Sequence, residues 1–166
     1  MDSIQIRILA WLTFLAVVFP VGLIAGEQPK SADKSAAAIT EISLERNCFG
    51  CPTGSLLVLR RDGTATYTVT GSARQGTTDQ VSQGKVSPKD FDRLTKMILA
   101  SGFFDLAEEY GDPEQRDGKW AAISVTRGNQ SKKVISREDS GPQPLQDLIK
   151  EIDQIGVDLF SAHSKQ

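Results

Sequence analysis

Between Ile39 and Phe160 the hydrophobic period changes twice from two residues to between three and four, which predicts a hairpin followed by a helix, and then the same pair again. Ile42 and Leu44 alternate with Glu41, Ser43 and Glu45 as a short leading strand with one buried face. Ser55 to Arg61 and Thr64 to Thr70 flank Asp62-Gly63, a pair suited to the positive φ angles of a two-residue hairpin turn. In the second of these strands Ala65, Tyr67 and Val69 share one side and threonines the other, so one face is packed and one wet. The first is apolar on both faces and belongs in the sheet interior. Ser72 to Lys85 is polar and glycine-bearing, and reads mostly as loop with room for a short strand near Gln80 to Ser82.

Ser87-Pro88-Lys89-Asp90 opens the first helix with an N-cap serine, a proline at the first helical position and an acidic first turn. Phe91, Leu94, Met97 and Ile98 fall on one face of it, and Gly102 ends it. Phe103, Phe104 and Leu106 follow as an apolar plug expected in the core. After an acidic loop from Glu108 to Asp117, Trp120 to Thr126 and Ser131 to Arg137 form a second hairpin around Gly128-Asn129, with Ala121, Ile123 and Val125 on one face. The second helix runs from about Pro144 to Ile155, where Leu145, Leu148, Ile149, Ile152 and Ile155 make a stripe that Gly156 closes. Val157 and Phe160 pack below it. These segments predict an α+β fold: an antiparallel sheet of two hairpins plus an N-terminal strand, with two helices on one face.

The N-terminal residues follow another pattern. Ile8 to Gly26 is an apolar run broken only by Thr13, which predicts export through a signal peptide over 1–26 or, if it is not cleaved, a membrane anchor over 8–26. Residues 27–38 read as a flexible linker, 39–160 as one domain and 161–166 as a disordered tail. The expected location is periplasmic or secreted. The 166-residue chain is 39% hydrophobic and 24% charged with a net charge of -2, so no basic face is implied and nucleic acid is not an expected partner.

Cys48 and Cys51 are the two cysteines, spaced Cys-x-x-Cys with Gly50 and Pro52 in and beside the turn. Covalent haem attachment needs histidine after the second cysteine, where Pro52 stands. A structural zinc needs four ligands, and the chain offers two thiols and His163 in the tail. Thiol redox catalysis asks for a helix N-terminus to acidify the first thiol. Here Pro52-Thr53-Gly54 leads to a strand instead. A structural disulfide across a tight turn, formed in an oxidising compartment, is the simpler reading. Cys48 attacking and Cys51 resolving is the alternative.

Ile42 to Pro52 with its Cys-Phe-Gly-Cys-Pro stretch, followed by Arg61-Asp62-Gly63-Thr64-Ala65-Thr66-Tyr67, resembles the opening of the bacterial exported family called domain of unknown function six-four-three-eight. The order of the later features, from Gly102-Phe103-Phe104-Asp105-Leu106 through Tyr110 and Asp117-Gly118 to Leu148 and Ile152, is similar as well. In that family the cysteines stand one residue further apart and an aromatic often follows the proline, whereas this chain has Thr53 and Gly54. The resemblance implies a fold and an exported location, and no substrate.

His163 is the sole histidine, which removes Ser-His and Cys-His nucleophilic mechanisms. Glu108, Glu109, Asp112, Glu114 and Asp117 share one loop and do not face each other across a cleft as glycosidase carboxylates do. Asp112, Glu114 and Asp117 are candidate ligands for a divalent cation such as calcium, although Arg116 intrudes and the spacing departs from the known calcium loop. No catalytic residue and no cofactor is expected. The expected function is an extracytoplasmic binding or interaction domain for a protein or small ligand, with thiol-disulfide redox and acidic-loop cation binding as alternatives. The membrane enters only through residues 8–26.

Overall fold

The computed structural model describes residues 38–112, 114 and 118–161. The apolar N-terminal run, nearly all of the linker and His163 lie outside these. The elements in chain order are β1 (Ile39–Cys48), β2 (Ser55–Arg60), β3 (Thr64–Val69), β4 (Gln80–Lys85), α1 (Pro88–Ala100), β5 (Glu109–Tyr110), β6 (Lys119–Arg127), β7 (Gln130–Arg137) and α2 (Gln143–Phe160). They build an α+β fold: one seven-stranded sheet in the order β4-β3-β2-β1-β6-β7-β5, with both helices on one face.

β1 is the spine. It runs ten residues, well beyond the short strand read from Ile42 and Leu44, and pairs antiparallel with β2 on one side and β6 on the other. Ile42 faces Leu59 and Val125, and Leu44 faces Leu57 and Ile123, so these two buried β1 side chains each have an aliphatic neighbour on both flanks. Phe91, Leu94 and Ile98 of α1 and Leu145, Leu148, Ile149, Ile152 and Ile155 of α2 close over these rows. Leu148 and Ile152 are fully buried, which places the predicted stripe in the core.

The α1 start is as read: Ser87 Oγ accepts from Asp90 N at 3.1 Å, and Gly102 takes the left-handed conformation just past the helix end. Phe103 is fully buried, while Phe104 and Leu106 pack at the core margin and Arg127 lies 4.0 Å above the Phe104 ring. Entry to α2 is set by a buried polar knot. Ser136 Oγ donates to Ser140 O at 2.7 Å, and Gln146 Nε2 donates to the same carbonyl at 2.6 Å. Ser136 is the buried polar residue of the core, and these bonds offset its desolvation.

Four expectations are corrected. The stretch read mostly as loop before α1 contains β4 as a full six-residue strand; its composition is polar because both its faces are exposed, and pairing with β3 defines it instead of a hydrophobic period. The acidic loop contributes β5, which pairs parallel to β7, so the sheet is mixed and not purely antiparallel. The first hairpin has a three-residue loop closed by Gly63 N to Arg60 O at 3.0 Å, with positive φ at Gly63 and not at Asp62; that is a type I turn followed by a left-handed glycine, unlike the two-residue turn expected. The second hairpin does have two loop residues, with positive φ at Gly128. Finally, α2 does not stop at Gly156 but continues to Phe160. Gly156 is there for clearance, since a Cβ at that position would stand 3.0 Å from Leu57 Cδ2. Its helix cost of about 1 kcal/mol is carried so that α2 can lie close on β2.

Candidate functional site

The end of β1 builds a corner with a cleft beside it. Cys48 and Cys51 are joined in a disulfide with their Cα atoms 5.3 Å apart. The four-residue ring is a turn: Cys51 N donates to Cys48 O at 3.4 Å, Gly50 has φ +81°, and Phe49 projects from it 74% exposed. Phe49 N donates to Gly118 O at 3.3 Å, which carries the β1–β6 ladder one step past Cys48. Pro52 follows the ring and is exposed, and Thr53 and Gly54 lead straight into β2. The chain directly after Cys51 enters β2 and not a helix, so no helix N-terminus adjoins the pair to acidify a Cys48 thiol.

Gly54 allows the chain to turn back this tightly. A Cβ there would fall 2.8 Å from Asn47 Nδ2 and 2.9 Å from the Arg46 carbonyl oxygen. Gly54 is also locked to the end of β3, donating from N to Thr70 Oγ1 at 2.7 Å and accepting from Thr70 N at 3.0 Å. Asn47 Oδ1 accepts from Cys48 N at 2.8 Å.

Across the ladder stands a second constrained turn. Glu138 and Asp139, just past β7, have φ of 47° and 56°, a left-handed pair made of non-glycine residues. Their side chains are held at once: Glu138 Oε1 accepts from Lys119 N at 2.7 Å and Asp139 Oδ2 accepts from Lys119 Nζ at 2.5 Å. The hydrogen bond to Asp139, then its charge, holds the Lys119 ammonium above the usual lysine range.

On the helix side of the sheet, a cleft of 440 Å³ lies between the last turns of α2 and the β2–β3–β4 strands. Leu44, Leu57 and Tyr67 line it from the sheet, Gln80 and Ser82 from β4, and Gly156, Val157 and Phe160 from α2. Tyr67 stacks on Phe160 with ring centroids 5.5 Å apart. The ring can sit there because β4 carries Gly84, where a Cβ would come within 3.2 Å of it. Arg46 reaches α2 by a two-pronged ion pair with Asp153, Nε donating to Oδ1 at 3.0 Å and Nη2 to Oδ2. Both side chains remain more than a third exposed. A second cavity of 430 Å³ shares Arg46, Ser55, Tyr67 and Val69 with the first and reaches Cys48, Cys51 and Trp120, so the disulfide corner and the cleft are neighbours.

The other sequence candidates fall elsewhere. Asp112 Oδ1 accepts from Glu114 N at 2.9 Å, Asp117 lies outside the described residues, and Glu109 is paired with Arg137. Among the described residues no three His, Cys, Asp or Glu side chains gather as metal ligands would. Trp120 is half-buried with Lys133 6.0 Å from its ring centre, and Tyr67 belongs to the cleft. The glycine-bearing stretch after β3 holds a 3-10 turn, Ala73–Gln75, and then β4. Among the described residues no helix is long and apolar enough to cross a membrane.

Sequence reading passed over Arg46, Asp153, Gly54 and Gly84, whose roles depend on partners far along the chain. A glycine inside the α2 stripe, with Phe160 four residues beyond it, was the available signal for the cleft.

The family described as "Domain of unknown function (DUF6438)" matches residues 40–156, from the second residue of β1 to Gly156, and the chain belongs to it. No curated protein matches the chain.

Proposed function

We propose that the protein is an exported, non-enzymatic binding domain whose ligand seat is the cleft between α2 and β2–β3–β4, with the Cys48–Cys51 ring as a brace for the adjoining corner. The observation that carries this reading is the cleft itself: 440 Å³, walled by the Tyr67–Phe160 stack and edged by the exposed Arg46–Asp153 pair. Small-ligand sites commonly span roughly 300 to 1,000 Å³ and combine apolar walls with a few convergent polar groups. The ionisable side chains lining the cleft are Arg46, Asp153 and Tyr67, and the first two neutralise each other. That leaves no nucleophile and base within hydrogen-bond reach of one another, and supports binding over turnover.

The brace is favoured over a thiol-exchange site because the chain after Cys51 enters a strand instead of a helix N-terminus. Export rests on the apolar run from Ile8 to Gly26.

A fragment screen read by backbone and aromatic NMR tests the seat. Shifts should concentrate at Tyr67, Val157 and Phe160, and Val157→Trp, at a position already 55% exposed, should abolish them without unfolding the protein. Hits that shift other surfaces and ignore Val157→Trp would sink the reading. Cell fractionation with N-terminal mass mapping tests export, the expected result being an extracytoplasmic chain that starts near Glu27 or retains residues 8–26 in the membrane.

A further inference from the structure

Resting on the cleft as a binding seat, we infer that its partner is an extended polypeptide segment that pairs with the free edge of β4 and lays alternate side chains into the cleft. β4 is the terminal strand of the sheet, and among the described residues nothing pairs with its outer side. The ladder phase follows from two bonds, Val86 N to Gly63 O at 3.0 Å and Thr70 N to Gly54 O at 3.0 Å. With the pairs Ala65↔Gly84, Tyr67↔Ser82 and Val69↔Gln80, this phase turns the N–H and C=O groups of Gln80, Ser82 and Gly84 towards β3. The same groups of Val81, Gln83 and Lys85 therefore point outward. An alternating row of donors and acceptors at strand spacing is complementary to another extended backbone.

Proteins usually guard such an edge with charge, proline, a bulge or shortness. β4 has six residues in unbroken register, no proline, and one charge, Lys85, at its end. Val81 is 58% exposed on the outer face of the sheet. On the helix side Gln80 and Ser82 are part of the cleft wall beside Val157 and Phe160, so a strand added to β4 would alternate between the cleft lip and Val81. The segment that fits is proline-free, about as long as β4, and aliphatic at the positions facing Val157 and Phe160. A folded second copy is a poorer fit, because a six-residue edge falls well short of the roughly 1,200 Å² that stable globular interfaces bury, whereas a flexible segment can use edge and cleft together.

The probe is an acetylated, amidated hexapeptide of alternating threonine and valine, added to the full chain and followed by NMR and amide hydrogen exchange. Binding should slow exchange at Val81, Gln83 and Lys85, and shift Val157 and Phe160. Gln83→Pro removes one outward N–H that β3 does not use, and should weaken binding at least tenfold, while Gln83→Ala should leave it within twofold. The same peptide N-methylated at alternate residues should fail on the unaltered protein, a control that holds even if Gln83→Pro does not fold. Equal binding of the N-methylated peptide overturns strand pairing. So does edge protection without peptide, which would mean the chain's own segment covers β4, and so does a dimer that Gln83→Pro dissociates. Small fragments binding at Tyr67 and Phe160 with no peptide effect at the edge would sink the strand proposal and spare the cleft; silence at both places sinks both.

Discussion

On one side of β1, the β2–β3 hairpin leads to β4, a strand with a single terminal charge, a bare edge and an open cleft beside it; on the other, the edge of the β6–β7 hairpin is partly covered by β5. Its inner row of Ala121, Ile123 and Val125 is buried, β5 covers Ile135 and Ser136 of β7, the Arg137–Glu109 pair holds that margin, and Lys133 reaches across the sheet face to Glu45. The supersecondary unit is the same, yet one flank is finished as core and the other is left available. Leu57, Leu59 and Ala65 give the other flank its own share of the core, but that flank also carries an uncovered strand edge and a cleft lined by half-exposed aromatics. On the function proposed above, recognition belongs to the β2–β3–β4 side, and the two hairpins are joined through a shared spine.

The sharpest way to break this division is to cut the core on each flank. Ile123→Ala, at a fully buried position, should cost about 2 to 5 kcal/mol in urea unfolding. Tyr67→Ala, at a half-buried position lining the cleft, should cost clearly less while removing the fragment shifts; the reverse order would refute the division. Cys48→Ser comes next, with an expected loss of about 2 kcal/mol from the chain-entropy value of a four-residue ring, and the unaltered protein in reductant should match it. Far-ultraviolet circular dichroism should stay native in both.

Ser136→Ala removes two bonds of the knot beneath α2, the one its hydroxyl donates to Ser140 O and the one it accepts from Gln146 Nε2, but leaves Gln146 on Ser140, so about 1 to 2 kcal/mol is expected. A hydroxyl on the open face, such as that of Thr66, should change stability by under about 0.5 kcal/mol when removed. The smallest effect is a pH dependence. Lys119 has a raised native pKa, so its contribution is complete below the unfolded lysine value near 10.4 and fades as pH rises through the higher native one. Lys119→Met should therefore leave the stability profile unchanged in shape at neutral pH and remove its alkaline decline. Asp62, whose bonds from Thr64 N and then Thr64 Oγ1 lower its pKa, acts at the opposite end: its contribution is present above the ordinary carboxylate value and is lost as pH falls through the lowered one. Asp62→Asn should flatten only that acid limb.

Much of the fold was legible because burial enforces period. Leu148 and Ile152 in α2, and Ile123 and Val125 in β6, declared their faces through spacing, and Ser87 and Pro88 announced a helix start by local hydrogen-bond chemistry. β4 was obscured because an edge strand exposed on both sides has no hydrophobic period to show; only its partner β3 makes it a strand. β5 is two residues long and likewise owes its existence to β7. Gly156 misled because glycine has two uses, and helix termination is the commoner near a stripe's end; close approach to Leu57 can be seen only once β2 lies beneath it. The cysteine turn was readable from Gly50 and Pro52, while the Arg46–Asp153 pair, separated by 107 residues, left no local trace.

The position of β1 also bears on the time course of folding. Its partner β2 leaves the ribosome within a few residues of it, but β6 begins at Lys119, more than seventy residues after Cys48. During synthesis β1 to β4 can pair early, yet the β6-facing margin of the spine stays vacant until nearly the whole domain exists. Closure of that margin is the long-loop step, the kind that slows folding and lengthens exposure to aggregation. For the export proposed above, the lateness of the central pairing would help keep the chain transport-competent, with the sheet completed only after its last third arrives.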